Sequence, residues 1–257
     1  EDYEQDKVIV WERPITGGPR TIKLYEPPRY FYVPDEDGAD VTITNKKVSK
    51  ITANSSWEFN QMVKAVTEFY ESDIRPDSRI LMNHYFGRPT PVINFAFFDI
   101  EVDVKTGKGW ANPQNPYAAI NAMTLWQSWT NEYKCYAVPP QDWPAEEQET
   151  FEADVVAFAA EHKLKFIPKF VLCRNEEELL SKFIHDIQDC DLLSGWNSEL
   201  FDVPYMVERL KRTYGEHGPR KLCFPGAGAP RMRTVEVFGN EEIAYELKGR
   251  AHIDYME

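Results

Sequence analysis

The sequence predicts an α/β sheet domain preceded by a smaller α+β domain, and three observations lead to that reading. Residues 92–98 form a nearly continuous apolar run bounded by prolines and acids, which suits a strand in the middle of a sheet, buried on both faces. Beyond it, strand-like segments alternate with capped helical segments, the pattern of an α/β layer. Before it, short β-branched and aromatic stretches are separated by Gly and Pro clusters, with one helical stretch. The change of pattern sets a boundary near residue 90, giving domains over 1–90 and 91–257.

In the first region, 7–11 and 21–25 read as strands joined by a turn at Gly17-Gly18-Pro19, and 30–33 as another that ends in the turn-forming Pro34-Asp35-Glu36-Asp37-Gly38. Asn54-Ser55-Ser56 offers caps for a helix in which Trp57, Met62, Val63, Val66, Phe69 and Tyr70 recur at helical spacing, until residues 73–77 stop it. In the second region, strands are expected at 122–129, 133–138 and 165–173, with a helical insertion over 145–162 at the sheet edge. Asn175-Glu176-Glu177-Glu178 is a capping box for a helix carrying Leu179, Leu180, Phe183, Ile184 and Ile187. A buried strand at 191–195, a helix at 203–214, and a hairpin with a final strand over 234–254 follow.

A hydrophobic content of 42% with mixed charge excludes a disordered or fibrous chain. No apolar run approaches the roughly 20 residues of a membrane span, and Glu1-Asp2-Tyr3-Glu4 is no leader, so a cytoplasmic protein is expected. The first residue is not Met, which points to a trimmed chain or a fragment. Cys135, Cys173, Cys190 and Cys223 are too scattered for a zinc site or a disulfide framework and read as buried thiols. The five histidines, His84, His162, His185, His217 and His252, fall in no motif and read as structural or surface residues. A net charge of −13 argues against a surface that coats duplex phosphate. It leaves room for a few nucleotides held through carboxylate-bound cations.

Asp99-Ile100-Glu101 places two acids at i and i+2 on one face at the end of the apolar strand. Like charges so close raise each other's proton affinity unless a divalent cation lies between them. A second acid-bearing segment runs from Ser194 through Gly195-Trp196-Asn197 to Phe201-Asp202-Val203-Pro204-Tyr205, after a buried strand and at the start of a helix. The two segments resemble the first and second exonuclease motifs of family B DNA polymerases. Glu71-Ser72-Asp73-Ile74-Arg75-Pro76, Pro27-Pro28-Arg29-Tyr30-Phe31-Tyr32-Val33 and His252-Ile253-Asp254-Tyr255 are similar, more loosely, to other segments of phage and archaeal members.

The resemblance implies an RNase H-like (DnaQ-like) exonuclease domain with a mixed central sheet, behind an amino-terminal α+β domain. It implies proofreading 3′-to-5′ hydrolysis of the terminal phosphodiester of DNA with two divalent cations, Mg2+ or Mn2+. Asp99 would bridge both ions, Glu101 would hold the water-activating one and Asp202 the second. Asn197, Phe201 and Tyr205 would meet the terminal nucleotide, with core packing the competing role for Phe201. The implied partners are the single-stranded 3′ end of DNA, the remaining polymerase domains or a second polymerase chain, and a sliding clamp; no membrane is implied. The family's third motif, a Tyr and an Asp one helical turn apart, would lie past Glu257, and Asp254, in a strand, is no substitute for it. Weak metal binding and poor cleavage by the isolated chain are therefore expected. Two readings compete: a non-catalytic subunit or nucleic-acid-binding module of a split polymerase, and a free-standing ribonuclease of the same fold.

Overall fold

A computed structural model describes residues 7–104 and 108–256. The chain divides into two compact units, Glu1–Pro91 and Val92–Glu257.

In the first unit, β1 (Val8–Glu12) and β2 (Thr21–Tyr25) pair antiparallel. Gly17 and Gly18 turn the chain between them at φ 81° and 105°, a region open to glycine. A second sheet has the order β3 (Tyr30–Pro34), β5 (Lys47–Thr52), β4 (Asp40–Val41). Helix α1 (Ser56–Lys64) is capped by Ser55, which accepts from the Glu58 amide. It is shorter than its apolar spacing predicts: Val66, Phe69 and Tyr70 lie beyond its end, and Tyr70 instead exchanges backbone hydrogen bonds with Tyr32. Tertiary pairing overrides the helical period here, and Phe69 lies edge-on to the buried Phe31. A second helix, α2 (Pro76–Tyr85), starts inside the 73–77 stretch expected to stop the first and continues where no element is expected, with Pro76 in its first turn.

The second unit is built on a six-stranded mixed sheet in the order β13, β10, β6, β7, β8, β9. Its strands are β6 (Phe95–Val102), β7 (Ile120–Gln127), β8 (Glu132–Ala137), β9 (Lys169–Leu172), β10 (Leu192–Gly195) and β13 (Ala251–Asp254). The strands β13, β10 and β6 run parallel; β7 is antiparallel to β6 and to β8. A separate ribbon pairs β11 (Arg231–Val237) with β12 (Asn240–Glu246). Helices α3 (Ala145–Glu161), α4 (Glu176–Asp186) and α5 (Asp202–Tyr214) intervene. This is an α/β layer around a mixed central sheet, the class expected from the sequence. No helix among the described residues is long and apolar enough to cross a membrane.

The strand β6 is central, as the apolar run suggests, but it is not buried on both faces. Ala96, Phe98 and Ile100 are buried, whereas Phe97, Asp99 and Glu101 on the alternate face are exposed. One face of the sheet is sealed by Leu179, Leu180 and Phe183 of α4 and by Val203, Met206 and Leu210 of α5, which join Phe98, Ile100, Met123 and Leu125 in a single core. Asn175 caps α4 by accepting from the Glu178 amide, and Glu178 reaches back to the Arg174 amide. Glu176 then accepts from the Ile120 amide at 2.8 Å and from Arg209 Nε at 2.7 Å, tying α4 to β7 and α5.

Arg250, at 3% exposure, donates to the carbonyls of Cys190 (3.0 Å), Leu222 (3.1 Å) and Ile187 (2.6 Å), so it fixes the entry to β13 against the end of α4 and the start of β10. A buried guanidinium serving carbonyl groups is costly to lose because the acceptors stay buried. Arg250→Ala is expected to lower the unfolding free energy in urea by about 3 kcal/mol. At the other end of β10, a methyl on Gly195 would lie 2.7 Å from Phe98 O and 2.8 Å from Ser198 Cβ. Gly195→Ala is therefore expected to cost about 1–3 kcal/mol by the same measurement, since one neighbour is backbone and cannot step aside.

Candidate active site

The site grows from the adjacency of β6 and β10. Their parallel register matches Leu192 with Phe95 and Ser194 with Phe97, so Asp99 and Glu101 run on past the end of β10, where the chain turns. A bulge between Glu101 and Val102 ends the regular pairing with β7, a common device for re-aiming side chains at a sheet end. From β10 the chain passes Gly195 and Trp196 and reverses at Asn197, which takes φ 54°, a conformation Asn tolerates. Asn197 O accepts from the Phe201 amide at 3.0 Å and Ser198 O from the Val203 amide at 2.9 Å, which delivers Asp202 to the first residue of α5.

There Asp202 is 3% exposed and its Oδ1 accepts from the Ile100 amide at 3.0 Å, in the middle of the first acidic segment. Burial, and next the charge of Asp99, push its carboxyl up to about 7, against the opposing pull of the Ile100 N–H; the Asp254 carboxylate adds to the rise. Asp99, sheltered but on the solvent side of the strand, is raised by burial. Asp202, the deeper of the pair, feels the charge of Asp99. Glu101 is exposed on the same side of β6 as Asp99. Among the described residues, no three His, Cys, Asp or Glu side chains stand close enough together to hold a metal ion.

The remaining expected residues divide. Asn197 is half-buried and gives its amide to Asp254 Oδ1. Phe201 is half-buried against the core, with its ring stacked on Tyr205 at 5.5 Å. Tyr205, expected to touch substrate, is fully buried and its hydroxyl donates to Ala118 O at 2.7 Å. Its helical position, three residues after Asp202, turns it into the core rather than out toward solvent.

Residues that sequence reasoning passed over also meet here. Ser198 Oγ donates to Gly195 O at 3.1 Å and lies 2.9 Å from His252 Nε2, and burial pushes the His252 imidazole down to about 4, so it stays neutral. Only the spacing of His252-Ile253-Asp254 in a strand beside β10 hints at this pairing. On the open side of the sheet a groove of about 740 Å³ is lined by Asp99, Phe97, Trp126, Tyr133, Phe166 and Tyr255, among others. Phe97 stacks on Trp126 at 5.8 Å and Tyr133 on Phe166 at 3.8 Å, giving the groove an aromatic floor that ends at the acid.

Residues 40–257 match the family model of the DNA polymerase family B exonuclease domain. The chain is 27% identical over 175 residues to the DNA-directed DNA polymerase of Escherichia phage RB69, a stretch that covers 64% of this chain and 19% of that protein. It is 30% identical over 86 residues to the DNA-directed DNA polymerase of Enterobacteria phage T4, 32% of this chain and 9% of that one. The matched stretches thus span less than a fifth of these relatives' length. With the acidic segments of β6 and α5 brought together on a mixed sheet, the chain belongs to the exonuclease-domain family of family B DNA polymerases.

Proposed function

We propose that this region removes nucleotides from the 3′ end of single-stranded DNA, as the proofreading part of a family B DNA polymerase, with the other polymerase domains as its partners. The observation that carries the reading is the approach of Asp202 to Asp99 from a segment about a hundred residues away, at the end of an open aromatic groove. A buried carboxyl whose proton affinity is raised by a second carboxylate marks a place short of positive charge. A donor set made only of carboxylate oxygens suits Mg2+ or Mn2+ rather than a softer metal.

Asp99 and Asp202, the two carboxyls that approach each other, would hold the divalent cations, and Glu101, on the same side of β6 as Asp99, would join them only after a side-chain movement, since the three do not converge in this structure. When bound, such ions lower the pKa of an attacking water and stabilise the leaving 3′ oxygen. The chain's own part is to keep Asp202 fixed by the Ile100 amide, with Asp99 beside it. Trp126, Phe97 and Tyr255 offer flat faces on which unstacked bases of a single strand can rest. Asn197 and Phe201, in the turn that leads to Asp202 at the start of α5, would position the terminal nucleotide.

Two measurements test this. In a polymerase chain containing residues 1–257, a 5′-labelled single-stranded DNA should shorten from its 3′ end in the presence of Mn2+, and Asp99→Asn or Asp202→Asn should slow this by at least about a hundredfold. Undiminished cleavage in either variant, or a demand for a 2′-hydroxyl, would rule the assignment out. The second concerns pH. Because folding raises the Asp202 carboxyl from 3.8 to about 7, its contribution to stability is full at low pH and is lost as pH rises through about 7. Without divalent cations, Asp202→Asn should melt a few degrees above the native chain at pH 8, and the gap should vanish near pH 4; an equal gap at both would contradict the burial argument.

A further inference from the structure

We propose that Asp254, at the end of β13, is a positioning residue for the nuclease site, setting the turn that delivers Asp202. The inference rests on the reading of Asp99 and Asp202 as cation-holding acids given above.

The register pairs Gly195 with Asp254, so the last residue of β13 faces the point where β10 becomes the turn. Its carboxylate is occupied by backbone amides. Asp254 Oδ1 accepts from the Asn197 amide at 3.0 Å and the Met256 amide at 2.9 Å, and Oδ2 accepts from the Glu199 amide at 2.9 Å. Both oxygens are thereby committed to the main chain, which is the work of a brace and not of a metal ligand. The braced residues carry the next links: Asn197 O holds the Phe201 amide, and Ser198 O, between the two braced amides, holds the Val203 amide. Asp202 lies between those two donors, and its Oδ1 takes the Ile100 amide. A continuous set of hydrogen bonds therefore runs from β13 through the turn to β6, crossing β10. The His252 contact with Ser198 Oγ steadies the same turn from two residues upstream on β13. An amide side chain at position 254 offers a single acceptor oxygen and turns its NH2 toward one of the braced N–H groups, so it cannot hold Asn197 and Glu199 together.

The test is amide hydrogen exchange read by NMR on the native chain and Asp254→Asn. The amides of Asn197, Glu199, Phe201 and Val203 should exchange about tenfold faster or more, and so should Ile100, which is remote in sequence and reports where the Asp202 carboxylate stands. Amides between β7 and β8 should be unchanged. An unaltered Ile100 amide, or a uniform rise throughout the sheet, overturns the proposal. Should Asp254→Asn fail to fold, Asp254→Glu retains the charge, displaces the carboxylate by one methylene and is read at the same Ile100 amide. In parallel, Mn2+ titration should show binding weakened roughly tenfold in Asp254→Asn and lost in Asp202→Asn. Equal Mn2+ binding by native chain and Asp202→Asn would sink the cation-site reading, while the Ile100 amide would still decide the role of Asp254.

Discussion

A carboxylate drawn out of water next to another carboxylate is the constraint around which the second unit is arranged. Asp202 can occupy that place only because the Ile100 amide meets it and because α5 begins at its backbone. Both conditions depend on β10 lying parallel to β6, which brings the end of one strand and the start of the next helix to the same edge of the sheet. Gly195 permits the close passage, since its backbone runs where a side chain would strike Phe98 O. The fold thus tolerates a local electrostatic penalty at the point where its chemistry is needed, a trade commonly found at functional sites.

The two faces of β6 divide the labour. Ala96, Phe98 and Ile100 lock the strand into the core beneath α4 and α5, so the acids stand on a rigid support. Phe97, Asp99 and Glu101 look the other way, and Phe97 and Asp99 line a groove that is mainly aromatic, its Lys134 paired with Asp186. That combination reconciles a net charge of −13 with the proposed nucleic-acid substrate: base stacking requires no positive surface, and cations held by the acids would meet the phosphate.

Much of the fold was legible because its signals are local. The Asn175 box, the apolar run before Asp99 and the helix opening at Asp202 each state their element within a few residues. What escaped was decided by distant partners. Residues 66–70 have helical spacing, yet pairing of Tyr70 with Tyr32 pulls them out of helix. The apolar character of residues 92–98 suggests cover on both faces, but periodicity alone cannot reveal which face another element fails to cover. At the site, the acids were recognisable by type and place, whereas the burial of Tyr205 and the binding of the turn by Asp254 follow from packing that no short motif encodes.

The strand order has a consequence for how the molecule is made. The centre of the sheet is laid down early in the sequence, but its parallel neighbours come much later: β6 pairs with β10 across almost a hundred residues, and β10 with β13 across nearly sixty more. Hairpin pairing of β6, β7 and β8 can form as synthesis proceeds, leaving one edge of β6 with unsatisfied backbone groups until β10 leaves the ribosome, and the edge of β10 exposed in turn until β13 does. During that interval the nascent chain presents an adhesive strand edge to its neighbours, and slow translation through residues 103–191 would prolong the risk of aggregation.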